Sequence, residues 1–345
     1  MTDKKNLQRY AYAVGLFLLA RVAAPGAARA DYAAGIKAFQ SGDYAVALKE
    51  FQAAAEKGNP EAQTNLGVMY SNGVGVKADE AEGVKWFQKS AKQGHPHGEY
   101  LLGLMYHQGR GVKKDFAEAL KWYKKAAEHG NVDAMYNAGV LYQNGEGVDK
   151  DPAEAAKWYE KASEKGSADG RFNLGLLYFD GVGVKKDLKK AFDLCKSAAN
   201  EGSVGGAFQT AAMLVNGEGV AKDYAAGAEY AAFAARNGHK DALSALNKLS
   251  NANVVEAKYH LGMMLLAGEG TEKNPTEAFK LMKAAAEQGY ADAQGQLFAM
   301  YANGDGVEKN FFGGLEWLIR AAKQGHKKSI VTIEELKKKH IDVNY

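Results

Sequence analysis

The sequence contains one cysteine, Cys195, and five prolines in 345 residues. A single cysteine excludes an intramolecular disulfide. After residue 30 no apolar run approaches the roughly twenty residues that a membrane-spanning helix needs, so we expect no membrane insertion of the mature chain. The scarcity of proline contrasts with forty glycines. Glycine in such excess indicates turns at regular positions, and therefore an internal repeat.

The first thirty residues have the pattern of a secretory signal peptide. A basic stretch at residues 4–9 precedes an apolar run over residues 11–20, and Ala28-Arg29-Ala30 is the small-x-small pattern that signal peptidase accepts. The alternative is an uncleaved anchor, but the apolar run is about half the length that crosses a bilayer. We expect cleavage near Ala30 and a periplasmic or secreted protein.

The charge of the mature chain is close to balanced. Residues 1–30 hold five of the 44 basic and one of the 41 acidic residues, which leaves 39 basic and 40 acidic residues from Asp31 onward. A chain with this balance lacks the excess of positive charge that attracts nucleic acid.

A Gly-x-Gly motif recurs seven times, and each motif follows a stretch with helical periodicity. In the second copy Leu102, Met105 and Tyr106 fall on one face of this stretch, which we name helix A. The glycines supply positive φ and end helix A. The intervals between first glycines are 36 residues, apart from one of 51: Gly73, Gly109, Gly145, Gly181, Gly217, Gly268 and Gly304.

A second helix, helix B, begins six residues after each first glycine. The residue there is Asp or Asn, which caps exposed helix N–H groups. Pro152 and Pro275 follow two of these caps, at the favoured first helical position. Four caps have glutamate three residues later, which predicts a capping box. Helix B ends at another glycine in every copy: Gly94, Gly130, Gly166, Gly202, Gly238, Gly289 and Gly325.

Small residues occupy one site on helix A and one on helix B, which predicts a close approach of the two helices. Gly139 and Ala155 are the pair in the third copy. The seventh copy has Phe298 at the helix-A site, so we expect its helix pair to pack differently. Cys195 aligns with apolar residues of the other copies, which predicts a core side chain.

The repeat resembles the Sel-one-like repeat family, a relative of the tetratricopeptide repeats. The residues that carry the resemblance in the third copy are Ala134, Ala138-Gly139, Tyr142, Gly145, Gly147-Val148, Asp151, Ala155, Trp158, Ala162 and Gly166. The resemblance implies an all-α fold, a right-handed α/α superhelical solenoid of helix-turn-helix repeats. One such pair cannot bury its apolar face alone, so stacked neighbours form the core.

The repeats divide the chain after the signal peptide (1–30) as follows. A tetratricopeptide-like unit covers 31–58, an inserted helix covers 239–253 and a C-terminal capping helix covers 326–345. The seven copies span 59–94, 95–130, 131–166, 167–202, 203–238, 254–289 and 290–325.

Each candidate motif of catalysis or cofactor binding lacks a feature that its chemistry requires. A nucleotide-binding Gly-x-Gly needs a preceding strand, whereas each motif here follows a helix. The common serine-nucleophile motifs are absent. His95-Pro96-His97 with His107 could suggest a metal, but ligation needs three converging ligands, and His95 aligns with ordinary polar turn residues. We therefore expect no enzyme, no cofactor and no metal.

An aromatic row at one helix-A position is the candidate site. In tetratricopeptide arrays this position points toward the concave groove, where such rings anchor a partner segment; packing between repeats is the alternative. Asn137 and Asn173, one place further on, could bond a bound peptide or a neighbouring repeat. The row consists of Tyr100, Tyr136, Phe172, Phe208 and Tyr259.

The resemblance implies a non-catalytic scaffold of the cell envelope that binds a protein segment. Members of the family include periplasmic regulators, envelope assembly factors and secreted host-interaction proteins, and the composition selects none of these three roles. The alternative is a binder or hydrolase of cell-wall fragments or β-lactams, an activity described for cysteine-rich relatives. Their paired cysteines are missing here. A third hypothesis is a structural spacer between envelope complexes.

Overall fold

The computed structural model describes residues 26–341 and 343, which form eighteen α-helices and no strand. Most of the predicted signal peptide, residues 1–25, lies outside the described residues. Residues 26–30 form the first part of helix α1, so the predicted cleavage site lies within a helix. The chain divides into two compact units, with the boundary inside helix α9.

Unit 1 comprises residues up to Gly170 together with Val182–Val184. Up to Glu164, each helix packs against the next helix along the chain, and short turns join them. The helices are α1 (Gly26–Gln40), α2 (Tyr44–Glu56), α3 (Pro60–Asn72), α4 (Glu80–Lys92), α5 (Pro96–Gln108), α6 (Phe116–Glu128), α7 (Val132–Asn144) and α8 (Pro152–Glu164), followed by the start of α9 (Ala168–Asp180).

Unit 2 comprises Arg171–Gly181 and the chain from Lys185 onward. It contains the rest of α9 and the helices α10 (Leu188–Asn200), α11 (Val204–Asn216), α12 (Tyr224–Arg236), α13 (Ala242–Asn251), α14 (Val255–Ala267), α15 (Pro275–Glu287), α16 (Ala291–Asn303), α17 (Phe311–Lys323) and α18 (Lys327–Lys338). The helices A are α3, α5, α7, α9, α11, α14 and α16, and the helix that follows each within its copy is helix B. The predicted all-α fold of repeated helix pairs is confirmed.

Each helix B begins at the predicted cap. In α6 the Asp115 carboxylate accepts a hydrogen bond from the backbone N–H of Glu118 at 3.0 Å. The predicted second half of the capping box is wrong: the backbone N–H of Asp115 donates to Tyr106 O at 2.9 Å, and the Glu118 carboxylate pairs with Lys121 at 3.2 Å. The cap N–H is already satisfied by helix A, so the glutamate is left to pair along its own helix.

The two glycines of each turn have different functions. Gly73, the first, ends α3 in the left-handed conformation with φ 68°. Gly75, the second, also has positive φ, and a Cβ there would lie 2.6 Å from the backbone O of Tyr44 at the start of α2. The second glycine therefore lets the turn pack directly on the backbone of the preceding repeat.

The helix-A glycine faces a large buried side chain of helix B. A Cβ at Gly139 would lie 2.6 Å from Cε1 of Tyr159, whose side chain is fully buried. The close helix contact is confirmed, and the space released by the glycine is filled by the tyrosine ring. Cys195 takes the equivalent position in α10 and is fully buried, as predicted; burial raises the pKa of its thiol to about 12.

The irregular segments also fold as helices. Helix α13 lies in the insertion after Gly238 and buries Ala242, Leu246 and Leu249. Helix α18 follows the last copy and buries Ile333. Phe298 packs edge to face on Phe311, with 5.5 Å between the ring centres. Within residues 26–341, every helix is too short or too polar to span a membrane.

Candidate functional site

The candidate residues of unit 1 lie on neighbouring helices A. Tyr100, on α5, is half-buried, and its ring centre lies 6.0 Å from that of the buried Tyr123 and 6.0 Å from that of His97. Asn137, on α7, hydrogen-bonds the Tyr100 side chain. Asn137 was expected to bond either a bound peptide or a neighbouring repeat, and in the structure it bonds the neighbouring repeat.

Tyr136 repeats this arrangement one copy later. It is half-buried on α7, and its ring centre lies 5.9 Å from that of Tyr159. Tyr159 is the ring that fills the space beside Gly139. Each aromatic ring of unit 1 is thus supported on one side by the core of its own copy and remains partly accessible on the other.

The candidate residues of unit 2 show the same combination of support and exposure. Phe208 stacks on His239, with 4.0 Å between the ring centres. The ring centres of Tyr259 and Tyr290 lie 5.2 Å apart. A Cβ added at Gly205 would lie 2.7 Å from Cε1 of Phe172. Asn173, next to Phe172 on α9, is half-buried, as are all the rings of the row. Packing and accessibility are therefore not exclusive at this position.

The structure adds carboxylates that sequence reasoning missed. Asp133, at the second position of α7, lies close to Tyr100. Burial is the larger cause of the raised pKa of Tyr100, and the negative charge of Asp133 raises it further. Five helices A have an acidic residue at this position, and the 36-residue register could have revealed them: Glu61, Asp133, Asp169, Glu256 and Asp292. Within each unit, we call the surface formed by the second, fifth and sixth positions of its helices A the helix-A face of that unit.

Helix B presents a different chemistry. Lys125 lies over the ring of Trp122, with Nζ 4.4 Å from the ring centre. Lys161 lies over the ring of Trp158, with Nζ 4.2 Å from the ring centre. Cation–π contacts of this kind contribute about 0.5–1 kcal/mol at exposed sites. The tryptophan row of helix B is therefore covered by the protein's own cations.

His95 is a helix cap in the structure and not part of a histidine cluster. Its Nδ1 accepts a hydrogen bond from the backbone N–H of Gly98 at 3.2 Å and lies 3.1 Å from Thr64 Oγ1. Burial, and then the charge of His97, lower the pKa of His95 to about 4. Among the described residues no three His, Cys, Asp or Glu side chains converge as metal ligands.

We expect His95→Asn to make the protein less sensitive to acid. The folded-state pKa of about 4 is below the unfolded value of 6.5, so the unfolded chain binds a proton that the fold excludes, and stability falls as pH drops from 6.5 towards 4. At pH 5 this loss is about 2 kcal/mol. Asparagine keeps the cap, as Asn131 does in α7.

Urea unfolding of both proteins at pH 7.5 and pH 5 measures this difference. His260, whose pKa is also lowered to about 4, titrates in both proteins and so cancels from the comparison. An equal loss of stability in wild type and variant would contradict the assignment of His95 as a buried neutral cap.

The comparisons with known proteins agree with this architecture. The Sel1 repeat family model matches residues 60–95, 96–131, 132–167, 168–203, 205–239, 255–290 and 291–326. The matches cover the seven copies and leave out helix α13. No curated protein matches the chain in a sequence search.

Two solved structures support the same fold. The first is c5321, a protective antigen present in uropathogenic Escherichia coli strains that displays an SLR fold; it is 29% identical, with a TM-score of 0.59, over 92% of this chain and 81% of that one. The second is a Sel1 repeat protein from Oxalobacter formigenes, 28% identical with a TM-score of 0.58, over 74% of this chain and 96% of that one. With seven matched repeats and these neighbours, the chain belongs to the Sel1 repeat family, whose members generally mediate protein–protein interactions.

Proposed function

We propose that this chain is a non-catalytic scaffold of the cell envelope that binds a segment of a partner protein on its helix-A face. The observation that carries the proposal is the row of half-buried rings that neighbouring side chains already hold in place. A ring ordered before binding loses little conformational freedom on binding, and such rings are frequent hot spots of interfaces.

A pull-down from an envelope extract tests this function. The bait is the mature protein, and the matched bait carries Tyr100→Ala and Tyr136→Ala. We expect a protein recovered in stoichiometric amount with the first bait and depleted with the second. Retention on purified peptidoglycan without a protein partner would contradict the scaffold and support a cell-wall binder.

We also expect the mature chain to begin near Asp31 and to be exported. The support is the sequence pattern of residues 1–30. Cleavage there would shorten α1, which then retains Asp31, whose carboxylate pairs with Lys57 at 2.5 Å. Mass spectrometry of the protein from periplasmic and cytoplasmic fractions measures the N-terminus; an intact Met1 in the cytoplasmic fraction would contradict export.

A further inference from the structure

Charge is divided unequally between the two helices of each copy. The helices A contain two basic side chains, Arg171 and Lys258, whereas the helices B contain sixteen. Helices α3, α5 and α7 of unit 1 have no lysine or arginine. The carboxylates of the helices A are Glu61, Glu99, Asp133, Asp169, Asp180, Glu256 and Asp292. Of the fifteen lysines in the helices A and B, fourteen lie in the helices B. The helix-A face of unit 1 is therefore anionic.

Two carboxylates of this face lie near each other. Asp133 and Asp169 occupy the same position in successive copies, and the pKa of Asp133 is raised by burial and then by the negative charge of Asp169. Within the described part of the chain neither forms an ion pair. Like charges in this arrangement repel, and a cation placed between them relieves the repulsion.

Glu61 is a further carboxylate of this set, at the second position of α3. Its side chain is only 8% exposed, and its Oε2 has no hydrogen-bond partner among the described residues. Burial raises the pKa of Glu61. Because Oε2 is shielded from solvent, the exposed carboxylates of this set in unit 1 are Asp133 and Asp169.

Asp133 lies near two rings of the aromatic row. Tyr136 follows Asp133 by three residues on α7, so the two side chains lie on the same side of the helix. Asp133 also lies next to Tyr100 of the preceding copy. A lysine or arginine side chain is recognised by this combination, because the carboxylate binds its charged group and the ring faces attract cations.

We propose that the helix-A face of unit 1 binds an extended, cationic polypeptide segment, with lysine or arginine side chains at Asp133 and Asp169 and against Tyr100 and Tyr136. This inference rests on the proposed function and specifies the chemistry of the partner.

Fluorescence anisotropy with defined peptides tests the inference. One labelled twelve-residue peptide has four Lys-Ser-Ser units, and its counterpart has four Glu-Ser-Ser units. The protein is tested as wild type, as Asp133→Asn with Asp169→Asn, and as a charge-matched control, Glu128→Gln with Glu164→Gln. The control glutamates are exposed at equivalent positions of α6 and α8, so net charge changes equally in both variants.

We expect the lysine peptide to bind wild type and the control with equal affinity, and the aspartate variant about tenfold or more weakly. The glutamate peptide should not bind. Circular dichroism melting confirms that all three proteins are folded. Equal weakening in both variants, or equal binding of both peptides, would overturn the inference. If the glutamate peptide binds and requires Tyr100 and Tyr136, the proposed function stands while the cationic partner is wrong.

Discussion

Gly139→Leu lowers the free energy of unfolding of unit 1 by about 3 kcal/mol or more, at the upper end of the range for overpacked cores. The reason is the absence of space: the Cβ alone would lie 2.6 Å from Cε1 and 2.7 Å from Cδ1 of Tyr159. The tyrosine is fully buried, and its hydroxyl donates to Gln143, so the ring cannot turn away. The neighbouring copies share this core and are destabilised with it.

Thermal and urea unfolding measure this effect. Asn144→Leu, which puts the same side chain at an exposed position on the same helix, is the matched control and should unfold like wild type. Adding Tyr159→Ala to Gly139→Leu should cost less than the sum of the two single changes, because the alanine makes room for the leucine. An unchanged unfolding transition in Gly139→Leu would mean that α7 and α8 do not pack through this glycine.

Tyr100→Ala combined with Tyr136→Ala weakens partner binding about a hundredfold or more. Two aromatic anchors that each contribute about 2 kcal/mol account for such a change at about 1.4 kcal/mol per factor of ten. The partner is the protein recovered in the pull-down, and isothermal titration measures its affinity. Helical content should change little, because both rings are only half-buried.

The structure supplies a matched control for this pair. Tyr106 and Tyr142 lie on the same two helices, six residues further on, and are also half-buried; the Tyr142 hydroxyl accepts a hydrogen bond from Lys124 at 2.6 Å. Alanine at both should lower stability without lowering affinity per folded molecule. If the Tyr100 and Tyr136 variant instead loses binding only in proportion to its folded fraction, the aromatic row is packing and not a binding site.

The aromatic row shows how far the site could be predicted. The 36-residue register identified the equivalent ring positions, because identical spacing places residues at the same point of each helix pair. It left open whether the rings pack or bind, and it gave no reason to select Asp133. Asp133 is next to Tyr100 only because α7 packs beside α5, a contact across 33 residues of sequence.

Helix boundaries, turns and repeat number were determined by the sequence alone, because their causes are local. A capping Asp or Asn bonds an N–H three residues away, and a glycine with positive φ follows both helices of every copy. Tertiary structure decided the rest. It bound the N–H of Asp115 to helix A, which left Glu118 free to pair with Lys121. It also placed Gly75 against the preceding repeat and Asp133 beside Tyr100 of the preceding copy. Such contacts depend on how neighbouring helices pack, and sequence spacing identifies equivalent residues without showing which of them meet.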